Sequence, residues 1–171
     1  MDHYQAKIIL VDDDEIDARI VKSAFEKQRI ANPLIVARDG IEALDILRSE
    51  TNQAGPLLIL LDLNMPRMGG IEFLDELRAD PLLRHHVVFV LTTSKADEDK
   101  FAAYERHVAG YLVKSEAGRD LMNHLPLLQQ YLITVHLPKL DGLSKSDDDT
   151  HRVDTNAIAA AIQDVTPTSI G

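Results

Sequence analysis

Five side chains in this sequence are of types that can do chemistry together: Asp12, Asp13, Asp62, Thr92 and Lys114. They also share one kind of position. Asp12 and Asp13 directly follow the apolar run Ile8-Ile9-Leu10-Val11, and Asp62 follows Leu57-Leu58-Ile59-Leu60-Leu61. Thr92 follows Val87-Val88-Phe89-Val90-Leu91, and Lys114 follows Tyr111-Leu112-Val113. Short apolar runs without polar alternation suit strands buried on both faces of a parallel sheet, which puts all five at strand C-terminal ends. In an open α/β sheet that edge is where sites form, at the point where the strand order reverses. With strand order 2-1-3-4-5, strands 1 and 3 flank that point, and Asp12, Asp13 and Asp62 converge in one crevice.

Three carboxylates about 5 Å apart repel by roughly 3 kcal/mol per pair at an effective dielectric near 20. A hard divalent cation offsets this. Mg²⁺ takes a few carboxylate oxygens plus waters and keeps positions open for phosphate oxygens. The chain has no cysteine and no HxH cluster, so zinc fits less well. An aspartate beside such a cation can attack a phosphoryl group as a covalent nucleophile, giving an aspartyl phosphate. Phosphoryl transfer depends mainly on positioning and charge stabilisation, and here Lys114 and the Thr92 hydroxyl supply an ammonium and a donor from neighbouring strand ends.

The elements that must position these groups alternate along the chain. A further apolar run, Leu34-Ile35-Val36-Ala37, brings the strands to five. A helix-period stripe after Asp14 contains Ile16, Ile20, Val21, Ala24 and Phe25, with Asp14 and Glu15 read as an acidic helix start. A second helix follows Asp39-Gly40 with Ile41, Leu44 and Leu47, and a third follows Gly70 with Ile71, Leu74 and Leu77, ending before Asp80-Pro81. A fourth is expected from about Asp97 to His107 and a fifth from about Asp120 to Tyr131, with Pro126 kinking or delaying it. The pattern predicts a doubly wound α/β fold, a five-stranded parallel sheet flanked by five helices.

Taken together, Ile9-Leu10-Val11-Asp12-Asp13-Asp14, Leu60-Leu61-Asp62-Leu63-Asn64-Met65-Pro66, Gly70, Leu91-Thr92-Thr93-Ser94-Lys95 and Gly110-Tyr111-Leu112-Val113-Lys114 resemble response-regulator receiver domains in order and spacing. The resemblance covers about Lys7 to Leu132 and implies a flavodoxin-like receiver. It implies Asp62 as phosphoacceptor, Asp13 as direct Mg²⁺ ligand, Asp12 as a ligand through water, and the Asn64 backbone carbonyl completing the metal shell. Lys114 would contact the phosphoryl oxygens. Thr92 would be the switch hydroxyl and Tyr111 the aromatic whose rotamer follows it, relaying charge at Asp62 to the face of helix 4, strand 5 and helix 5. Such a protein is a signalling phosphoacceptor, with only self-phosphorylation and self-dephosphorylation chemistry.

A narrower resemblance rests on Leu91-Thr92-Thr93-Ser94-Lys95, Tyr104-Glu105-Arg106-His107-Val108, Tyr111-Leu112-Val113-Lys114-Ser115 and Tyr131-Leu132-Ile133-Thr134-Val135-His136-Leu137-Pro138. These are similar to the single-domain regulators that serve cyanobacterial and bacterial phytochromes. The implied phosphodonor is a phytochrome-type histidine kinase, with a phosphotransfer or effector protein downstream. Ser115 stands where most receivers carry a proline after the lysine, as it does in that group.

Composition narrows the remaining classes. A net charge of -10 repels phosphate backbones and anionic lipid surfaces, so neither nucleic acid nor membrane is an expected partner. The first residues lack a signal-peptide pattern, and no apolar run approaches the length of a membrane span, so the expected location is the cytoplasm. Asp62-Leu63-Asn64 superficially resembles the aspartate loop of haloacid-dehalogenase-type phosphatases, whose second acid would fall at Asn64. An aspartate closing an apolar strand also fits a Walker B element, yet no GxxxxGK[ST] loop exists. A receiver-shaped adaptor that ignores phosphate is a third alternative. The domain reading is a receiver over residues 1–132 and a partly disordered C-terminal extension over 133–171 without an output domain. The switch face and the segment Leu132 to Leu140, which keeps apolar Ile133, Val135, Leu137 and Leu140, are the expected homodimer contact, and the seven histidines read as surface or packing residues.

Overall fold

Of the five apolar runs, Leu57-Leu61 is the most completely enclosed, buried at all positions and paired on both sides. The computed structural model describes residues 6–50, 56–114 and 119–137. It places β1 (Lys7–Val11), β2 (Leu34–Ala37), β3 (Leu57–Leu61), β4 (Val87–Thr92) and β5 (Gly110–Val113) in one parallel sheet of order β2-β1-β3-β4-β5, as expected. Five helices alternate with the strands: α1 (Glu15–Lys27), α2 (Gly40–Glu50), α3 (Gly70–Ala79), α4 (Asp97–Glu105) and α5 (Arg119–Thr134).

Successive strand side chains point to opposite faces, so each strand feeds two cores. Ile8, Leu10, Leu58 and Leu60 pack with Val21, Ala24 and Phe25 of α1 and with Leu125 and Leu128 of α5. Ile9, Val11, Ile59 and Leu61 pack with Leu44 and Leu47 of α2 and Phe73, Leu74 and Leu77 of α3. At roughly 25 cal/mol per Å² of apolar area removed from water, these two layers supply most of the driving force that fixes the strand ends.

Local chemistry sets where the helices begin. The Asp14 carboxylate caps α1, accepting from the N–H groups of Ile16 at 2.7 Å and Asp17 at 3.4 Å. Asp39 does the same for α2, accepting from Ile41 and Glu42, each at 2.9 Å. α3 begins at Gly70, where an added Cβ would lie 2.5 Å from the Asp62 carbonyl oxygen and 2.7 Å from the Leu63 Cα. Only a residue without a side chain lets α3 start this close to the strand end that carries Asp62.

Several expectations are corrected. Ile16 is 68% exposed and Ile41 is exposed too, and both lie in the first turns of their helices. α4 stops at Glu105, not His107, since His107 takes a left-handed backbone, φ 57°. α5 starts at Arg119 and runs through Pro126 to Thr134, beyond the expected end at Tyr131. The lost backbone bond at an interior proline costs about 3 kcal/mol. Pro126 itself is exposed, while Leu125 and Leu128 are buried on either side and hold the helix on the sheet. Ile133 in the last turn of α5 and Val135 just past it are exposed, whereas Leu137 is buried in the α1–α5 core and is not free to meet a partner. Ser115, Leu140, Ala157–Ile162 and the rest of the expected extension beyond Leu137 lie outside the described residues. Among the described residues no helix is long and apolar enough to cross a membrane.

Of the two roles expected for the histidines, His86 takes the packing one. It is buried, its Nε2 has no hydrogen-bond partner among the described residues, and burial, with help from the charges of Arg78 and His85, lowers its pKa from 6.5 to about 4. The unfolded chain therefore binds more protons between those values, and the stability gained from a neutral His86 is lost as pH falls from about 6.5 to 4. Urea unfolding at pH 7.5 and pH 5 is expected to show a drop for the native chain that is smaller by roughly 2 kcal/mol in His86→Leu. Parallel pH profiles for the two proteins would contradict this.

Candidate functional site

Parallel pairing delivers the functional side chains to one edge in register. The Asp62 N–H donates to the Val11 carbonyl at 2.9 Å, and the Asp12 N–H to Ala37 at 2.9 Å, so both acids continue the ladder just past their strands. The Lys114 N–H donates to the Thr92 carbonyl at 2.7 Å, which fixes the outer strand in the same way. Asp12, Asp13 and Asp62 each offer a carboxylate oxygen within 4.8 Å of the others. Asp12 and Asp62 are buried, while Asp13 opens to solvent. Oxygens on opposite sides of a Mg²⁺ ion stand about 4.2 Å apart, twice its usual bond length, so this group fits a small hard cation after slight contraction.

The Lys114 ammonium is the hub of the crevice. Its Nζ donates to Asp12 Oδ2 at 2.5 Å, to Asp17 Oδ2 at 2.9 Å and to Asp62 Oδ2 at 3.4 Å. Burial acts to lower the Lys114 pKa, but Asp12 and Asp62 outweigh it, with the Asp17 hydrogen bond adding to them, and the net direction is upward. Lys114 stays charged. Burial pushes Asp12 up to about 6, further than Lys114 pulls it down, and the Asp62 charge adds to the rise. The two upward directions have different causes: burial dominates at Asp12, and the neighbouring acids dominate at Lys114.

The remaining expected residues surround this hub. The Asn64 N–H donates to Asp62 Oδ1 at 3.4 Å, so the residue beside Asp62 is drawn against its carboxylate. Thr92 is fully buried at the end of β4, its Oγ1 accepting from the Ser94 N–H at 3.4 Å, with no hydrogen bond to the three acids among the described residues. Tyr111 is half-buried and its hydroxyl donates to the Ser94 carbonyl at 3.1 Å, tying β5 to the loop before α4. Burial raises its pKa.

Two features were not anticipated. Asp17, in the first turn of α1, reaches Lys114 across the crevice. Sequence offered only its position three residues past the Asp14 cap, which reads equally as a solvated helix start. Arg67, between β3 and α3, adopts a left-handed backbone, φ 65°, and pairs with buried Asp39 at the start of α2. That pair pins the loop after Asp62 to the neighbouring helix.

A doubly wound sheet with an acidic, lysine-spanned crevice at its switch point defines a flavodoxin-like α/β protein whose polar groups are gathered at one sheet edge. Residues 8–126 match the response regulator receiver domain, and the chain belongs to that family. The response regulator Rcp1 of Synechocystis is 40% identical over 135 residues, spanning 77% of this chain and 92% of its own. Two solved structures agree in fold. The phosphorylated cyanobacterial phytochrome response regulator RcpA has a TM-score of 0.70 at 35% identity, over 78% of this chain and 99% of its own. The Mn²⁺-bound form of Rcp1 has a TM-score of 0.68 at 39% identity, over the same shares.

Because Asp13 adds repulsion without being buried, Asp13→Asn is expected to move two quantities in opposite directions. Mg²⁺ affinity falls at least tenfold, while the chelator-treated protein becomes more stable by about 0.5–1 kcal/mol. Calorimetric Mg²⁺ titration and urea unfolding in EDTA check both, and a destabilised ion-free variant would show that Asp13 holds the fold and not the ion.

Proposed function

We propose that the chain accepts a phosphoryl group from a histidine kinase onto Asp62, with Mg²⁺ held by Asp12, Asp13, Asp62 and the Asn64 backbone carbonyl. The observation that carries this reading is the convergence of three carboxylates within 4.8 Å around one lysine ammonium, from strand ends distant in sequence. Asp62 is the nucleophile: its oxygen attacks phosphorus as the bond to the donor's imidazole nitrogen breaks, and the imidazole leaves with the bonding electrons. The bound cation supplies positive charge for the phosphoryl oxygens. Lys114, already 3.4 Å from Asp62, neutralises the added charge from the other side.

Thr92 is the hydroxyl placed to turn toward the new phosphoryl group, and Tyr111 is the residue that responds, since both bond to Ser94. The response reaches the α4–β5–α5 face, where Phe101 is 73% exposed and Tyr104 and Ile133 are also exposed. That face is our choice for homodimerisation. Similarity to Rcp1 and RcpA, each matched over nearly its whole length, supports a phytochrome-type kinase as donor and a separate protein as receiver of the signal.

Incubation with acetyl phosphate and Mg²⁺ is expected to add one phosphoryl group, seen as a single mass increment, which Asp62→Asn and EDTA both abolish. Modification of the Asp62→Asn protein at the native rate would reject Asp62 as the acceptor. Light scattering with beryllofluoride is expected to give the dimer mass, and Phe101→Asp the monomer mass. A native chain monomeric under all conditions would remove the dimer.

A further inference from the structure

Asp17 belongs to no part of the receiver chemistry set out above, yet it makes the second-shortest contact to the lysine on which that chemistry depends. Its Oδ2 lies 2.9 Å from Lys114 Nζ, against 3.4 Å for Asp62 Oδ2. The two residues are 97 apart in sequence, and the pair ties α1 to the end of β5 over the mouth of the crevice. Asp17 is not among the acids whose oxygens cluster for a metal ion, so its carboxylate serves Lys114 and not the cation. It is partly open to solvent, whereas the ammonium it holds is almost enclosed.

A lysine ammonium has three donors, and here each has a carboxylate within reach. For Lys114 to hold a phosphoryl oxygen on Asp62, at least one donor must turn from a present partner. The bond to Asp12 is the most enclosed and the one to Asp62 is the longest, which leaves Asp17 as the competitor set apart from the reacting centre. We infer that Asp17 is a positioning residue that holds the Lys114 ammonium on the α1 side of the crevice and competes with phosphoryl oxygens for it. This rests on the assignment of Asp62 and Lys114 made above. Asp17 thereby sets how strongly the crevice prefers a cation alone over a cation with a phosphoryl group. Its negative charge also favours the nearby divalent ion through space, so the two affinities are coupled with opposite sign.

The test is Asp17→Asn, which keeps the shape and hydrogen-bonding capacity of the side chain and removes its charge. Calorimetry on the full chain with Mg²⁺ alone is expected to show affinity weakened roughly three- to fivefold, the effect of one unit charge at this range in water-like screening. Titration of beryllofluoride at saturating Mg²⁺ is expected to show affinity tightened by a similar factor. Asp17→Glu, which restores a carboxylate, is expected to return both constants to within about twofold of native. A pattern in which the two constants do not move in opposite directions overturns the inference, and joint weakening would mark Asp17 as a purely structural tie. A native chain that takes up no beryllofluoride overturns the phosphoacceptor reading itself, whereas native uptake with an unmoved Asp17→Asn overturns only the role of Asp17.

Discussion

Everything in this protein depends on keeping like charges together. Asp12, Asp13 and Asp62 are gathered at one sheet edge, and a single ammonium, Lys114, spans Asp12 and Asp62. An isolated buried carboxylate would shift its pKa and neutralise. Asp12 goes part of the way, to about 6, and the direct bond to Lys114 holds it below that of a fully uncompensated acid. The surrounding sheet makes the arrangement tolerable, because two aliphatic layers lock the strands in register and hold the backbones of the three acids at one edge. Apolar burial is thus the reservoir from which the electrostatic strain of the crevice is met.

The sheet was legible in the sequence for a simple reason. Strands buried on both faces must be continuously apolar, and the first polar residue after each run marks the edge. Asp12, Asp62, Thr92 and Lys114 were visible as such interruptions; the parallel order brings Asp12, Asp62 and Lys114 into contact and leaves Thr92 buried at the end of β4. Helix ends were harder. A proline reads as a helix breaker, and the neighbours that keep α5 intact, Leu125 and Leu128, matter through contacts with distant strands. Ile16 and Ile41 fell on the apolar stripes, but a stripe does not reveal where the sheet beneath it stops.

Long-range polar pairs were not legible. Asp17 in α1 and Arg67 in a loop are ordinary charged residues by composition, and each gains meaning only from a partner brought near by the fold. His86 is similar. Beside His85 it looks like half of a polar surface pair, yet the backbone turn before β4 buries it and leaves its neighbour exposed.

The Arg67–Asp39 pair has a consequence for how the crevice performs over time. It fastens the segment that carries Asn64 to a helix start that is itself capped and buried. The conformational entropy of that segment is lost when the chain folds and not again whenever an ion arrives. Affinity is then free to be set by charge alone.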